Sequence, residues 1–417
     1  MRKLTVKNFS VIKDAELEFG KITVLIGPQS SGKSLLCKLA YFLGREVINI
    51  AIGRVVNRFE YGLQDCVTAV QEEFSKWFPR LGWGYDNWSI VFTANEYEVT
   101  VSAPPATEPH AEAQVIFSEA FRAAYLGRVD ATIEHRKNGG FLIAQAFQSL
   151  AATAFLKVSG RGVWDNSIYI PVERSYLVDA TKAYKVLGAE PDSIVAAFAP
   201  IYQRSLDAAS HGQRIPKYLK GNLRSRQNDW MMDFHDGRVL SLNHLSSGGK
   251  ETLPILSTIE YYEQQRRNSG NLLSEELYGD RLYFFDDFTI EEPESSVFPQ
   301  TQDELIREFS ALSNEVNFQP HFTITTHSPY ILSVFGNLIK AGKVGAQGAE
   351  HHAAVAEVIP EKYWIKDGDF AAYKIEDGKL VTIFNRQTGE IDGDYLDDVS
   401  GKIAEEFSNL LEIQYGQ

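Results

Sequence analysis

The sequence predicts an α/β protein with strand-and-helix patterns at its start and in its last third and a largely helical stretch between them. Three observations lead there. A strand pattern at residues 22–26 passes through a glycine-rich turn into a helical pattern at 34–44. Far downstream, strand-like runs at 281–290 and 320–326 alternate with helical stretches at 302–314 and 330–342, which is the βαβ signature of a parallel sheet. Between these halves, residues 110–160 are rich in alanine and helical by composition.

The elements follow in order. Residues 4–9, 15–19 and 22–26 read as a β-meander, with Gly20 as the turn between the last two strands. The helix over 34–44 has apolar residues at 35, 36, 39, 40 and 43, and Gly44 is a natural stop. Residues 50–80 carry mixed helical signals and end at the aromatic cluster Trp77, Phe78, Trp83 and Trp88. WSIVFTANEYEVTVSA, residues 88–103, alternates apolar and polar on both sides of Asn95-Glu96, a β-hairpin pattern that PPATEP then breaks. A strand at 167–171 and helix at 178–210 complete the middle.

The chain has 417 residues and an ordinary globular apolar content, enough for two or three units. Its first twenty residues interleave charges with apolar positions and lack a signal peptide's apolar core. No apolar run approaches the roughly eighteen residues of a membrane span, so a soluble, cytoplasmic protein without membrane partners is expected. Cys37 and Cys66 lack CxxC spacing or a histidine cluster and read as packed thiols, excluding a disulfide framework or a zinc site. A net charge of −14 opposes uniform attraction to nucleic acid. One basic stripe stands against that balance: Arg204, Arg214, Lys217, Lys220, Arg224 and Arg226 with only Asp207 among them, either a phosphate-contacting face or a solvated loop.

Gly27-Pro28-Gln29-Ser30-Ser31-Gly32-Lys33-Ser34 fits GxxxxGK(S/T) at every position and lies between the strand KITVLI and a helix, the context that the motif requires. Glycines let the backbone curl until its N–H groups face phosphate oxygens, and the helix N-terminus adds partial positive charge. Lys33 is expected to reach the β- and γ-phosphates of ATP and Ser34 to hold Mg²⁺, with Leu35 completing the nucleotide-binding segment. The bland alternative is a glycine turn capped by Ser30 or Ser31.

Three later segments choose among the folds that share this loop. In Leu245-Ser246-Ser247-Gly248-Gly249-Lys250-Glu251, the residues Ser247, Gly248 and Gly249 look like the Ser-Gly-Gly of an ABC signature, although alone they are ordinary cap chemistry. Phe288-Thr289-Ile290-Glu291-Glu292-Pro293-Glu294 is an apolar strand ending in paired carboxylates, with Pro299 opening the next helix. One carboxylate of such a pair can neutralise a metal while its neighbour orients water for in-line attack. A competing register, residues 282–285 followed by Asp286-Asp287, stays open, with Glu291-Glu292 preferred on the proline pattern. Phe322-Thr323-Ile324-Thr325-Thr326-His327-Ser328-Pro329 ends a strand in a histidine able to bond a γ-phosphate or the attacking water.

Together these segments resemble the ABC-type P-loop ATPases of the overcoming-lysogenization-defect and SMC/RecF group. The resemblance covers residues 1–50 and 240–345 as the ATPase core, makes 50–240 the inserted lobe with its hairpin, and leaves 346–417 as a C-terminal α+β extension. It implies ATP and Mg²⁺ as cofactors, Glu291 on the metal, Glu292 polarising water, and His327 as the switch histidine. It also implies a head-to-tail homodimer, or an oligomer of such dimers, with ATP between one P-loop and Ser247-Gly248-Gly249 of another copy. Phe298 stands where transporter relatives carry an aspartate that links subunits.

Nuclease relatives add a Toprim domain, but Asp367-Gly368-Asp369 and Asp392-Gly393-Asp394 both sit in turn contexts. The resemblance therefore implies an ATPase subunit acting with a separate effector such as a nuclease, in bacterial anti-phage defence. A RecF-like clamp on DNA is the alternative, and DNA or RNA is a further candidate partner. Ile168-Tyr169-Ile170-Pro171-Val172-Glu173-Arg174-Ser175 looks like a strand, proline and arginine element of relatives. For Arg174, a phosphate contact, an inter-subunit contact and a structural salt bridge all stay open.

Overall fold

The computed structural model describes residues 2–57, 62–108, 111–127, 158, 166–180, 193–209, 221–226, 229–269, 286–316, 318–392 and 405–410. Its centre is an eleven-stranded mixed sheet. The strands are β1 (Arg2–Phe9), β2 (Ile12–Phe19), β3 (Ile22–Ile26), β4 (Gly84–Ala94), β5 (Tyr97–Ser102), β6 (Gln114–Phe117) and β7 (Asn166–Ile170) from the first part of the chain. After a separate three-stranded sheet of β8 (Gly221–Arg226), β9 (Asp229–Phe234) and β10 (Val239–Ser241) come β11 (Asp286–Glu291), β12 (His321–Thr326), β13 (Phe370–Glu376) and β14 (Lys379–Thr382). The order is β6-β5-β4-β1-β2-β14-β13-β3-β12-β11-β7.

The two halves of this sheet differ in kind. From β13 to β7 the strands are parallel, and β3, buried along its whole length, lies between β12 and β13. Strands covered on both faces read as continuous apolar runs, as ITVLI does. From β6 to β2 they are antiparallel and alternate buried with exposed residues, as in the DAEL stretch of β2. The expected mixed α/β class therefore holds, but the meander does not. β1 and β2 form a hairpin, whereas β3 leaves them for the parallel half. Gly20 is needed there for space: a Cβ would sit 2.9 Å from the Asp369 carbonyl oxygen.

The hairpin around Asn95 forms with Ala94 opposite Tyr97, and Asn95 takes φ 52°. It joins the main sheet through β1, and β6 extends it where helix was expected at 114–117. Helix α1 (Lys33–Tyr41) does not stop at Gly44. It runs through a π-helical turn, Phe42–Glu46, into α2 (Val47–Asn57), and Gly44 lets Phe92 approach, since a Cβ would lie 3.1 Å from that ring. α3 (Leu63–Trp77) then packs Phe74 into the aromatic cluster, 5.9 Å from Trp88 and 6.0 Å from Phe9 between ring centroids.

Further helices are α4 (Arg174–Ala180), α5 (Ser193–Ala209), α6 (Ser247–Ser269), α7 (Pro299–Asn314), α8 (Pro329–Gly345) and α9 (Ala349–Val358), with α5 against β7 and α9 against α8. Proline opens both α7 and α8, where its missing N–H costs no ladder bond. No described helix is long and apolar enough to cross a membrane. Both cysteines are buried and free, and burial pushes the Cys66 thiol up to about 12. Arg214, Lys217 and Lys220 of the basic stripe, together with Gly393 and Asp394, lie outside the described residues. Within the described part of the stripe, Arg224 pairs with Asp233 at 2.8 Å.

Candidate functional site

Because β3, β11 and β12 are parallel and in register, their carboxyl ends meet on one side of the sheet. Glu291 lies opposite Thr325, and Thr326 lies opposite Ile26, the residue before the glycine-rich loop. This is the end at which open α/β sheets bind ligands. The loop of residues 27–32 fills the step from β3 to α1. Gly32 takes φ 105° as the helix N-cap, and a Cβ there would meet Ile12 Cδ1 at 2.6 Å. Gly27 is equally confined, its missing Cβ lying 2.9 Å from Ser31 Oγ.

Lys33 curls back over this loop. Its ammonium donates to the carbonyls of Gly27 at 2.8 Å and Pro28 at 2.9 Å, and the side chain is buried. Burial lowers its pKa, opposed first by the charge of Glu292 and then by those of Glu294 and Glu291. Ser31 Oγ is buried without a hydrogen-bond partner, so the cradle holds a polar group that an anion could satisfy. Ser34, in the first turn of α1, is exposed.

The two candidate registers for the acidic pair separate cleanly in space. Asp286 and Asp287 stand at the opposite end of β11, where Asp286 pairs with Arg266 at 2.9 Å and Asp287 with Arg2 at 2.7 Å. Glu291 and Glu292 stand at the loop end. Glu291 is buried, with Oε1 accepting from the Tyr169 hydroxyl at 2.8 Å and Oε2 from the Val172 amide at 3.1 Å. Glu292 has φ 42°, a left-handed conformation that costs a glutamate about 1–3 kcal/mol. Its amide is held by the Thr325 carbonyl at 2.9 Å, and its Oε1 lies 3.2 Å from His327 Nε2. The predicted loop, carboxylate pair and histidine are thus brought together.

Glu294, to which the sequence pattern assigns no role, supports this histidine. Its Oε1 accepts from the Thr326 hydroxyl at 2.8 Å and from the His327 amide at 2.6 Å. Its Oε2 is buried without a hydrogen bond, and desolvation raises its pKa. The first Glu of a Glu-x-x-Glu pair is legible as a strand-end acid. The second needed the turn at Pro293 to bring it under His327.

Arg174 is fully buried, which excludes a phosphate or inter-subunit contact at the surface. Its guanidinium donates to four carbonyls: Glu251 at 2.9 Å, Pro171 at 3.0 Å, Glu292 at 2.8 Å, and Glu291. The Glu251 carboxylate lies 3.2 Å away as its ion pair, without hydrogen-bond alignment. The third of the open readings, a structural pair, is the nearest to the geometry.

Ser247, Gly248 and Gly249 open α6. Ser246 caps it by accepting from the Gly249 amide at 3.2 Å, and a Cβ on Gly248 would strike the Ser296 carbonyl at 2.9 Å. Ser246, Gly248 and Gly249 line a cleft of about 890 Å³ with Arg238, His244 and the exposed Phe298; Ser247 does not line it, nor does any of residues 27–35. Asp367 and Asp369 flank the turn before β13, with Gly368 at φ 85°. No group of three or more His, Cys, Asp or Glu that could hold a metal occurs among the described residues. An all-oxygen pair, the Ser34 hydroxyl and the Glu291 carboxylate, nevertheless suits magnesium, which takes few protein ligands and completes its shell with phosphate and water.

The family profile described as AAA ATPase domain matches residues 190–332, about a third of the chain. No curated protein matches the sequence. Among solved structures the chain is similar to the SMC head domain from Thermotoga maritima, at 12% identity over 91% of this chain and 97% of that one, TM-score 0.38. It is similar also to an SMC head domain with an extended coiled coil bound to the C-terminal domain of ScpA from Pyrococcus furiosus, at 12% identity over 98% and 100%, TM-score 0.39. A third is the recombination mediator protein RecF, at 11% identity over 91% and 97%, TM-score 0.36.

Proposed function

We propose that the chain binds ATP with Mg²⁺ and hydrolyses it to ADP and phosphate. The observation that carries this is the meeting of Lys33, Glu292 and His327 at one end of three parallel strands, with Glu292 and His327 3.2 Å apart. Its test is ATP binding and turnover by wild type and Lys33→Ala, with loss of binding in the variant expected and equal binding overturning the reading.

The loop amides of residues 27–35 take the phosphates, and Lys33 exchanges its two loop carbonyls for β- and γ-phosphate oxygens. Ser34 and Glu291 hold Mg²⁺, which when bound neutralises phosphate charge; Tyr169 and the Val172 amide fix the carboxylate of Glu291 for that task. Glu292 accepts the proton of the attacking water, and its strained backbone is what aims it. His327, anchored through its amide by Glu294, bonds the water or the γ-phosphate from the next strand.

ATP is shared between two copies, the second supplying Ser247, Gly248 and Gly249. Supporting this, Gly248 and Gly249 line a cleft to which none of residues 27–35 of the same copy contributes. Hydrolysis then reports assembly to a separate effector such as a nuclease, in anti-phage defence, a role suggested by the resemblance of Glu291-Glu292-Pro293-Glu294 and Thr326-His327-Ser328-Pro329 to that group. Copurification with tagged neighbours tests it. An ATP-trapped assembly containing an effector is the expected outcome, and a DNA-bound dimer without a protein partner favours the clamp alternative.

A further inference from the structure

Arg174 joins two parts of the site. On one side it donates Nε to the carbonyl of Glu251, in the first turns of the helix that Ser247, Gly248 and Gly249 begin. Pro254 in this helix lacks the N–H that would bond the Lys250 carbonyl, so the turn carrying Glu251 is short of one ladder bond. On the other side Nη1 and Nη2 donate to the carbonyls of Glu291 and Glu292. The second of these carbonyls belongs to the residue with φ 42°, so a guanidinium bond holds a peptide in a conformation it does not choose by itself. The planar fork reaches all of these acceptors at once, and an ammonium cannot.

From this geometry we infer that Arg174 is a positioning residue for Glu292: it ties the Ser247–Gly249 helix start to the peptide that aims the carboxylate, so that docking at the helix start adjusts the alignment for hydrolysis. The inference rests on the ATPase reading above. Arg174 touches no reacting atom; it acts through the backbone of residues 291 and 292.

Arg174→Lys tests it, measured as kcat and ATP dissociation constant beside thermal midpoint, in wild-type and Glu292→Gln backgrounds. Loss of hydrogen bonds to a charged donor predicts a kcat at least about tenfold lower with ATP affinity within about twofold. In the Glu292→Gln background the same change is expected to add no further loss, because the group being aimed is already gone. Equal fractional loss in both backgrounds, or a lower thermal midpoint with unchanged kcat, overturns the inference and leaves Arg174 a structural tie. If Arg174→Lys does not fold, Glu251→Gln removes the carboxylate that pairs with the guanidinium at 3.2 Å and so loosens its hold on the Ser247–Gly249 helix. A fall in kcat without a change in ATP affinity supports the coupling, and unchanged kcat overturns it. A wild-type protein that neither binds nor hydrolyses ATP refutes the underlying ATPase reading instead, so the two failures are distinguishable.

Discussion

Glu292→Gln isolates the proposed chemical step from nucleotide binding. The substitution keeps the side chain's size and one oxygen acceptor, so the contacts 3.2 Å to His327 Nε2 and 3.4 Å to Ser295 Oγ can persist, while the capacity to accept a proton is lost. A positioned acid–base group contributes about 10²–10⁴-fold, which corresponds to about 3–5 kcal/mol of barrier. Binding moves the other way or not at all. Glu292 is the foremost carboxylate acting on Lys33, and its neutralisation removes negative charge from a site built for phosphates. The expected result is therefore a fall of about 10²–10⁴ in turnover with ATP affinity unchanged or higher. Phosphate release under single-turnover conditions and fluorescence of a labelled nucleotide read the two quantities separately. Turnover within about threefold of wild type would refute the assignment of Glu292 and, with it, the reading of the strand end as catalytic.

Asp286→Ala is the matching control: opening a buried ion pair with Arg266 is expected to lower stability by about 3–5 kcal/mol in denaturant melts while leaving turnover per folded molecule unchanged. Lys33→Ala is expected to weaken ATP binding at least tenfold by calorimetry, since charge-assisted bonds are worth about 1.5–3 kcal/mol each. Phe74→Ala, which empties the centre of the cluster formed with Phe9, Phe78 and Trp88, is expected to cost about 3–5 kcal/mol in the same melts. His321 supplies a pH signature. Burial, reinforced by the neighbouring Arg2, pulls its pKa down to about 4, so its contribution to stability is present above the ordinary histidine range near 6.5 and lost as pH falls towards 4. The thermal midpoint of His321→Gln, followed from pH 7.5 to 4, is expected to fall less than that of wild type; parallel curves would count against this assignment.

Local chemistry was legible wherever a short stretch of chain carries the whole constraint. The loop at 27–34 could be read because glycine, lysine and serine at fixed spacing form one turn and one helix start. The strand–proline–helix joints at 299 and 329 could be read for the same reason. Gly44 misled because a glycine near a helix end signals a stop from sequence alone, whereas here a ring from β4 requires the missing Cβ. β6 was missed because its four residues lie next to a helical, alanine-rich stretch, and its strand character comes from pairing with β5.

What the sequence determined by itself was thus the class of fold, the phosphate-type loop, and a short set of acids and one histidine able to act beside it. Three matters were decided only in the folded chain: which acidic pair faces the loop, what Arg174 touches, and what holds the His327 amide. Register between parallel strands distant in sequence sets the first, by sending Asp286 to Arg266 and Glu291 towards the loop. Among the bonds that decide the others are those of Glu294 to His327 and of Arg174 to Glu292, which span 33 and 118 residues. No local pattern encodes such pairings, because each donor and acceptor meets its partner only after the sheet has brought the strand ends together.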